Sequence, residues 1–259
     1  MAGVPAAAAA GGGRMWLGSE MDPLDTWRPQ PFTAHGITHD VYRKGTGPGV
    51  VVIHEIPGLT PKVVDFAEEV VDRGFTVALP HLFGPAGATG SLATTMVRLC
   101  VNTEFTKLAL NRTSPVTLWL RELARSLHLE CGGPGVGAVG MCFTGGYALA
   151  MLADAPVSAP VLSQPAVPFA LTRARGADLG MTEEDWARAK AKVEGGCQVM
   201  GLRYREDSSI GSRFDRLRAE LGDDFIAVEF DGPGHSVLTE HRQQEGVDRV
   251  LEFLTAKLR

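Results

Sequence analysis

The sequence predicts an α/β fold: a mainly parallel, doubly wound sheet with helices on both faces. Three observations predict it. Short β-rich runs alternate with helical stretches along most of the chain. The first run is apolar without alternation, as a strand buried on both faces must be. Helical stretches open on Pro or on an acidic first turn, and the first of them stops at Gly.

The elements follow in order. Residues 49–56 (GVVVIHEI) read as a buried strand closed by Pro57-Gly58. Residues 61–73 place Val63, Val64, Phe66, Ala67, Val70 and Val71 at helical spacing before Gly74. Residues 75–80 (FTVALP) are the next strand, and residues 115–128 an amphipathic helix starting at Pro115. Residues 135–141 are a small-residue strand, 144–153 a helix, and 157–163 a strand. Thr182-Glu183-Glu184-Asp185 opens a helix expected to reach residue 193. Residues 197–204, 211–221 and 225–230 read as strand, helix and strand, and 239–258 as a closing helix with Gly246 as a point of interruption. Residues 83–114 lack a clear period and are expected to form a cap loop over the site.

Composition narrows the function classes. The 259 residues carry 30 acidic and 25 basic side chains, a formal charge of -5. Clustered phosphate contacts are not expected from that balance, so no nucleic-acid partner is predicted. No run approaches the ~18 consecutive apolar residues of a spanning helix, so no membrane partner is predicted either. Cys100, Cys131, Cys142 and Cys197 form no C-x-x-C pair, which argues against a zinc or redox site. Residues 1–30, rich in Ala, Gly and Pro, are expected to be a disordered extension, with 31–259 a single domain. The N-terminus lacks the basic start and apolar stretch of a signal peptide, and a cytoplasmic location is expected.

The segment GAVGMCFTGG, residues 137–146, is the most informative. A small-residue strand runs directly into Cys142, then Thr144, Gly145, Gly146 and a helix. This is the layout of a nucleophile elbow, where a sharp strand-to-helix turn lifts a side chain above the sheet. Gly140 and Gly145 allow the close approach that such a turn demands. A free Cys is more often a buried structural residue. That reading is retained for Cys100, Cys131 and Cys197, whereas its position marks Cys142 as a nucleophile. The base is sought at the carboxyl end of another strand, where FDGPGHSV turns through Gly232, Pro233 and Gly234 to His235. The orienting acid is expected in Tyr204-Arg205-Glu206-Asp207-Ser208, with Asp207 preferred to Glu206, and Asp215 lying inside the following helix. The order nucleophile, acid, His is that of α/β-hydrolases.

These residues together resemble the dienelactone hydrolase family of α/β-hydrolases. The segment IHEIPGL, residues 53–59, strengthens the resemblance, since it looks like the family's strand-end glutamate. The resemblance implies that Cys142, Asp207 and His235 form a triad. It also implies that Glu55 holds the resting cysteine and moves away when substrate binds, and that the Ile56 and Phe143 amides form the oxyanion hole. The implied activity is hydrolysis of a small ester or lactone, with no metal and no organic cofactor. One departure bears on substrate: Thr239 stands where dienelactone hydrolases carry a carboxylate-binding arginine. Arg98 is the candidate for a second such arginine. Tyr147 is a candidate substrate contact, and Phe143, Trp119 and Phe169 are candidates to line or back the pocket, with core packing the preferred role for each.

Three other readings compete. Gly135, Gly137 and Gly140 match G-x-G-x-x-G, but they lie within the expected strand and no acidic residue follows at the spacing a dinucleotide site needs. A non-catalytic α/β-hydrolase-like binding protein would have no need of an oriented base. An acyl-transfer or cyclisation enzyme would use the same triad.

Overall fold

The computed structural model describes residues 22–91, 95, 104–105, 112–166 and 176–259. Within them one eight-stranded sheet runs in the order β1-β2-β4-β3-β5-β6-β7-β8. The strands are β1 (Arg28–Ala34), β2 (Ile37–Lys44), β3 (Gly49–Ile53), β4 (Thr76–Pro80), β5 (Val136–Met141), β6 (Val157–Ser163), β7 (Val199–Tyr204) and β8 (Phe225–Phe230). The helices are α1 (Pro61–Asp72), α2 (Pro115–Cys131), α3 (Gly145–Leu152), α4 (Glu183–Glu194), α5 (Arg213–Leu221) and α6 (Gln244–Leu258). From β4 through β8 every neighbouring pair is parallel, whereas β1 and β2 pair antiparallel with each other, and β2 antiparallel with β4. No helix among the described residues is long and apolar enough to cross a membrane.

The unbroken apolar run of β3 has its explanation in two cores. Val51 and Ile53 face one, with α2, α3, α4 and α5; Val50 and Val52 face the other, with α1 and α6. All five β3 residues are buried, so neither face tolerates a polar side chain. Crossover helices on both faces leave the carboxyl ends of β3, β5, β7 and β8 as the place where loops converge.

Four differences from expectation bear on the site and its scaffold. The fold takes in residues 22–30, which composition had set aside: Leu24 and Trp27 are buried and β1 begins at Arg28. The hairpin of β1 and β2 was not anticipated. Strand β3 ends at Ile53, so Glu55 stands on the loop beyond it. The last helix starts at Gln244 and runs through Gly246 without a break. Before it, the Thr239 and His241 amides donate to Ser236 O and the Gln243 amide to Val237 O, making a compact turn.

Candidate active site

Strand β5 delivers Cys142 to the top of the sheet. Cys142 has a φ of 52°, a left-handed backbone that a non-glycine residue rarely adopts. A Cβ at Gly140 would overlap the carbonyl oxygen of Thr144, so the turn closes only around glycine there. Thr144, fully buried, fastens the turn. Its Oγ1 accepts the Met141 amide at 3.0 Å and lies 3.0 Å from Ile53 O and 3.1 Å from His54 O. The Cys142 turn is thereby tied to the end of β3, where Glu55 follows.

The loops after β7 and β8 carry Asp207 and His235, the candidate acid and base. Asp207 Oδ2 accepts from His235 Nδ1 at 2.6 Å, and Asp207 Oδ1 accepts from the Ser209 hydroxyl at 2.6 Å and the Ser209 amide at 3.1 Å. Burial resists ionisation of Asp207, but the bonds from His235 and Ser209 outweigh it and hold the carboxyl below its usual range. For His235, burial opposes the charge, while Asp207 and then Cys142 favour it, and its pKa is pushed up to about 10. Of the acids weighed from sequence, Asp207 is the one bonded to His235; Glu206 is exposed at the cavity and Asp215 lies in α5, 3.8 Å from Arg218. The loop carrying His235 rests on Tyr204, whose hydroxyl donates to His241 O at 2.5 Å and accepts from Gln243 Nε2 at 2.7 Å. A Cβ at Gly234 would run into that ring.

Glu55 is buried and has three hydroxyl or amide partners. Oε2 accepts from Ser236 Oγ at 2.7 Å and Gln164 Nε2 at 3.1 Å, and Oε1 accepts from Thr239 Oγ1. Its backbone is pinned by His54, whose Nδ1 donates to Glu55 O at 2.9 Å and whose Nε2 accepts the Leu82 amide at 3.0 Å. Complete burial pushes His54 down to about 3, so it stays neutral and structural. A Glu55 oxygen, Cys142 Sγ and a His235 nitrogen all lie within 4.8 Å of one another. That donor set could hold a metal ion, and it is also the set that acyl chemistry would use. Sequence reasoning missed Gln164, Ser236 and Thr239 in this role.

Cys142 and His235 border a cavity of about 930 Å³ whose walls include Ile56, Pro57, Phe143 and Ala166. Tyr147 does not reach it. The ring is fully buried, 6.0 Å from Phe143 in an edge-to-face contact, and burial pushes its phenol well above the usual value. Helix α3 turns that side chain into the core, which corrects the expectation of a substrate contact. Trp119 is likewise core, packed edge-on against Phe32. Arg98 and Phe169 lie outside the described residues, as does most of the expected cap loop; Thr89 and Gly90, from its start, line the cavity.

A mostly parallel sheet with a side chain on a sharp β5-to-α3 turn, and a His after the last strand, defines the α/β-hydrolase class. Solved structures agree on the fold. The chain is similar to a candidate dienelactone hydrolase from Klebsiella pneumoniae (TM-score 0.61, 16% identity, covering 89% of this chain and 97% of that one). It is also similar to Est1E from Butyrivibrio proteoclasticus (0.58, 14%, 88% and 98%). A third similar structure is the thioesterase domain from the curacin biosynthetic pathway (0.56, 9%, 90% and 100%). No curated protein sequence matches the chain. The family model of the dienelactone hydrolase family matches residues 37–176, and the chain belongs to that family of hydrolases.

Proposed function

We propose that the protein is a cysteine-dependent hydrolase of a small ester or lactone, working through an acyl-enzyme on Cys142. The observation that carries the reading is Cys142 at positive φ, beside a His235 whose other ring nitrogen is bonded to Asp207 at 2.6 Å. A structural cysteine needs neither the strained turn nor the oriented imidazole.

In the proposed cycle Cys142 reacts as thiolate against the His235 imidazolium. The thiolate attacks the carbonyl carbon, and the Ile56 and Phe143 amides receive the oxyanion. Each such donor is worth about 10²–10³-fold in rate. The tetrahedral adduct collapses by breaking the bond to the alkoxide, which takes the proton from His235 and leaves as alcohol. Neutral His235 then accepts a proton from water, hydroxide attacks the thioester, and thiolate and imidazolium are restored with release of the acid. Asp207 holds the ring and its charge throughout. Glu55 keeps its three hydrogen bonds. Esters suit this chemistry better than amides, whose poorer leaving groups favour return of the thiolate. The cycle calls for no metal and no organic cofactor.

The test is p-nitrophenyl acetate turnover by wild type and by Cys142→Ala purified in parallel. Wild-type turnover well above background, with a loss of at least about 100-fold in the variant, supports the reading. Equal activity, or none in either protein, overturns it and puts a binding role or a narrow acyl transfer ahead.

A further inference from the structure

We infer that this cavity selects uncharged, largely apolar esters and discriminates against substrates bearing a free carboxylate. The inference rests on the acyl-enzyme reading of the same site and names its substrate class. The walls supplied by Ile56, Pro57, Phe143, Ala166 and Pro233 are apolar. The cavity's size, about 930 Å³, lies toward the upper end of the ~300–1,000 Å³ usual for small-molecule sites. It therefore has room for a medium-chain acyl or aryl group beyond the reacting carbonyl.

Charge decides the class. Among the described lining residues there is no arginine, while Glu55, Asp207, Glu206 and Glu240 contribute four carboxylates. The lysine at the cavity, Lys62, is half exposed and paired with Glu240 at 2.7 Å. His235 gives its Nδ1 proton to Asp207. Thr239 spends its hydroxyl proton on Glu55 and has none left for a substrate. Arg242, a few residues on, is not at the cavity and pairs with Glu69 at 2.8 Å. Among the described residues an anionic substrate would thus meet more carboxylates than cations, with Lys62 already paired to Glu240 and His235 to Asp207, while an apolar chain loses nothing on leaving water.

A matched pair of esters tests this: p-nitrophenyl hexanoate, and the mono-p-nitrophenyl ester of hexanedioic acid, which differs by a terminal carboxylate. Assays use the full chain at low and high salt. The neutral ester is expected to have at least about tenfold higher kcat/KM, with the gap narrowing as salt rises. Glu206→Lys, and Glu240→Gln, which releases Lys62, should each raise the anionic ester severalfold relative to the neutral one. A thiol-dependent activity that takes both esters equally, or prefers the anionic one, overturns this inference alone, as does a ratio that neither variant moves. Activity on either ester that survives Cys142→Ala overturns the acyl-enzyme reading as well.

Discussion

Cys142 and His235 meet at one point by different means. The cysteine is set by backbone sterics: a buried strand, a glycine with no room for a Cβ, a threonine bolted to the neighbouring strand, and a φ of 52°. The histidine sits on a partly exposed loop and is set by hydrogen bonds to Asp207 and by a Tyr204 strut beneath it. A side chain fixed by packing fails when volume changes. One fixed by hydrogen bonds fails when a donor or acceptor changes, while the fold survives.

Asp207→Asn should show the largest effect on turnover, a fall of about 10³–10⁴-fold in kcat, because the tautomer and charge of His235 are lost together. Its urea midpoint should change little near pH 10, where the stability contributed by the raised His235 pKa is gone, and a large fall there would erase the contrast. The pH profile sharpens it. His235 keeps its proton up to about 10 in the wild type, so activity that needs the imidazolium falls only as pH rises through that value. In the variant the alkaline limb should move down toward the ordinary 6.5, read as kcat/KM from pH 5 to 10.5. Stability follows the same sign: the contribution of the raised pKa is complete below 6.5 and disappears as pH climbs to about 10.

Gly140→Ala should do the reverse. Its methyl group meets backbone, so about 1–3 kcal/mol of stability should be lost in urea titration, along with about 100-fold in activity. Gly234→Ala drives a methyl group into the buried Tyr204 ring, and about a tenfold loss of kcat with about 1 kcal/mol of stability is expected, in kinetics and urea titration. The smallest effect belongs to Thr239→Val, which keeps the shape and removes one donor from Glu55. It should cost about 1 kcal/mol in stability and only a few-fold in kcat, measured on the same preparations.

The parallel part of the fold was legible because its strands are buried on both faces and read as apolar runs, as residues 50–53 do. The first hairpin was not. Strand β1 exposes its first four residues and contains two prolines, so it shows neither an apolar run nor clean alternation. Gly246 misled for a related reason. It sits where α6 lies against Val237, Leu202 and Phe230, and its missing side chain serves close packing rather than a helix break. The triad candidates were legible because each follows a strand with its own turn signal. The Glu55 cradle was not, since Gln164, Ser236 and Thr239 lie 109, 181 and 184 residues away in sequence. Nothing local distinguishes a hydroxyl with such a partner from one facing water.

Pro29 and Pro31 have a consequence at the rim of the sheet. Strand β1 is the terminal member of the eight, and all seven of its residues are in register with β2. A proline nitrogen offers no proton, and it fits such a ladder with that nitrogen turned away from the partner strand. An incoming strand on the outer side would thus meet two missing donors where it needs a continuous row. Composition thus disfavours a further strand at the β1 edge, which guards that edge against edge-to-edge aggregation.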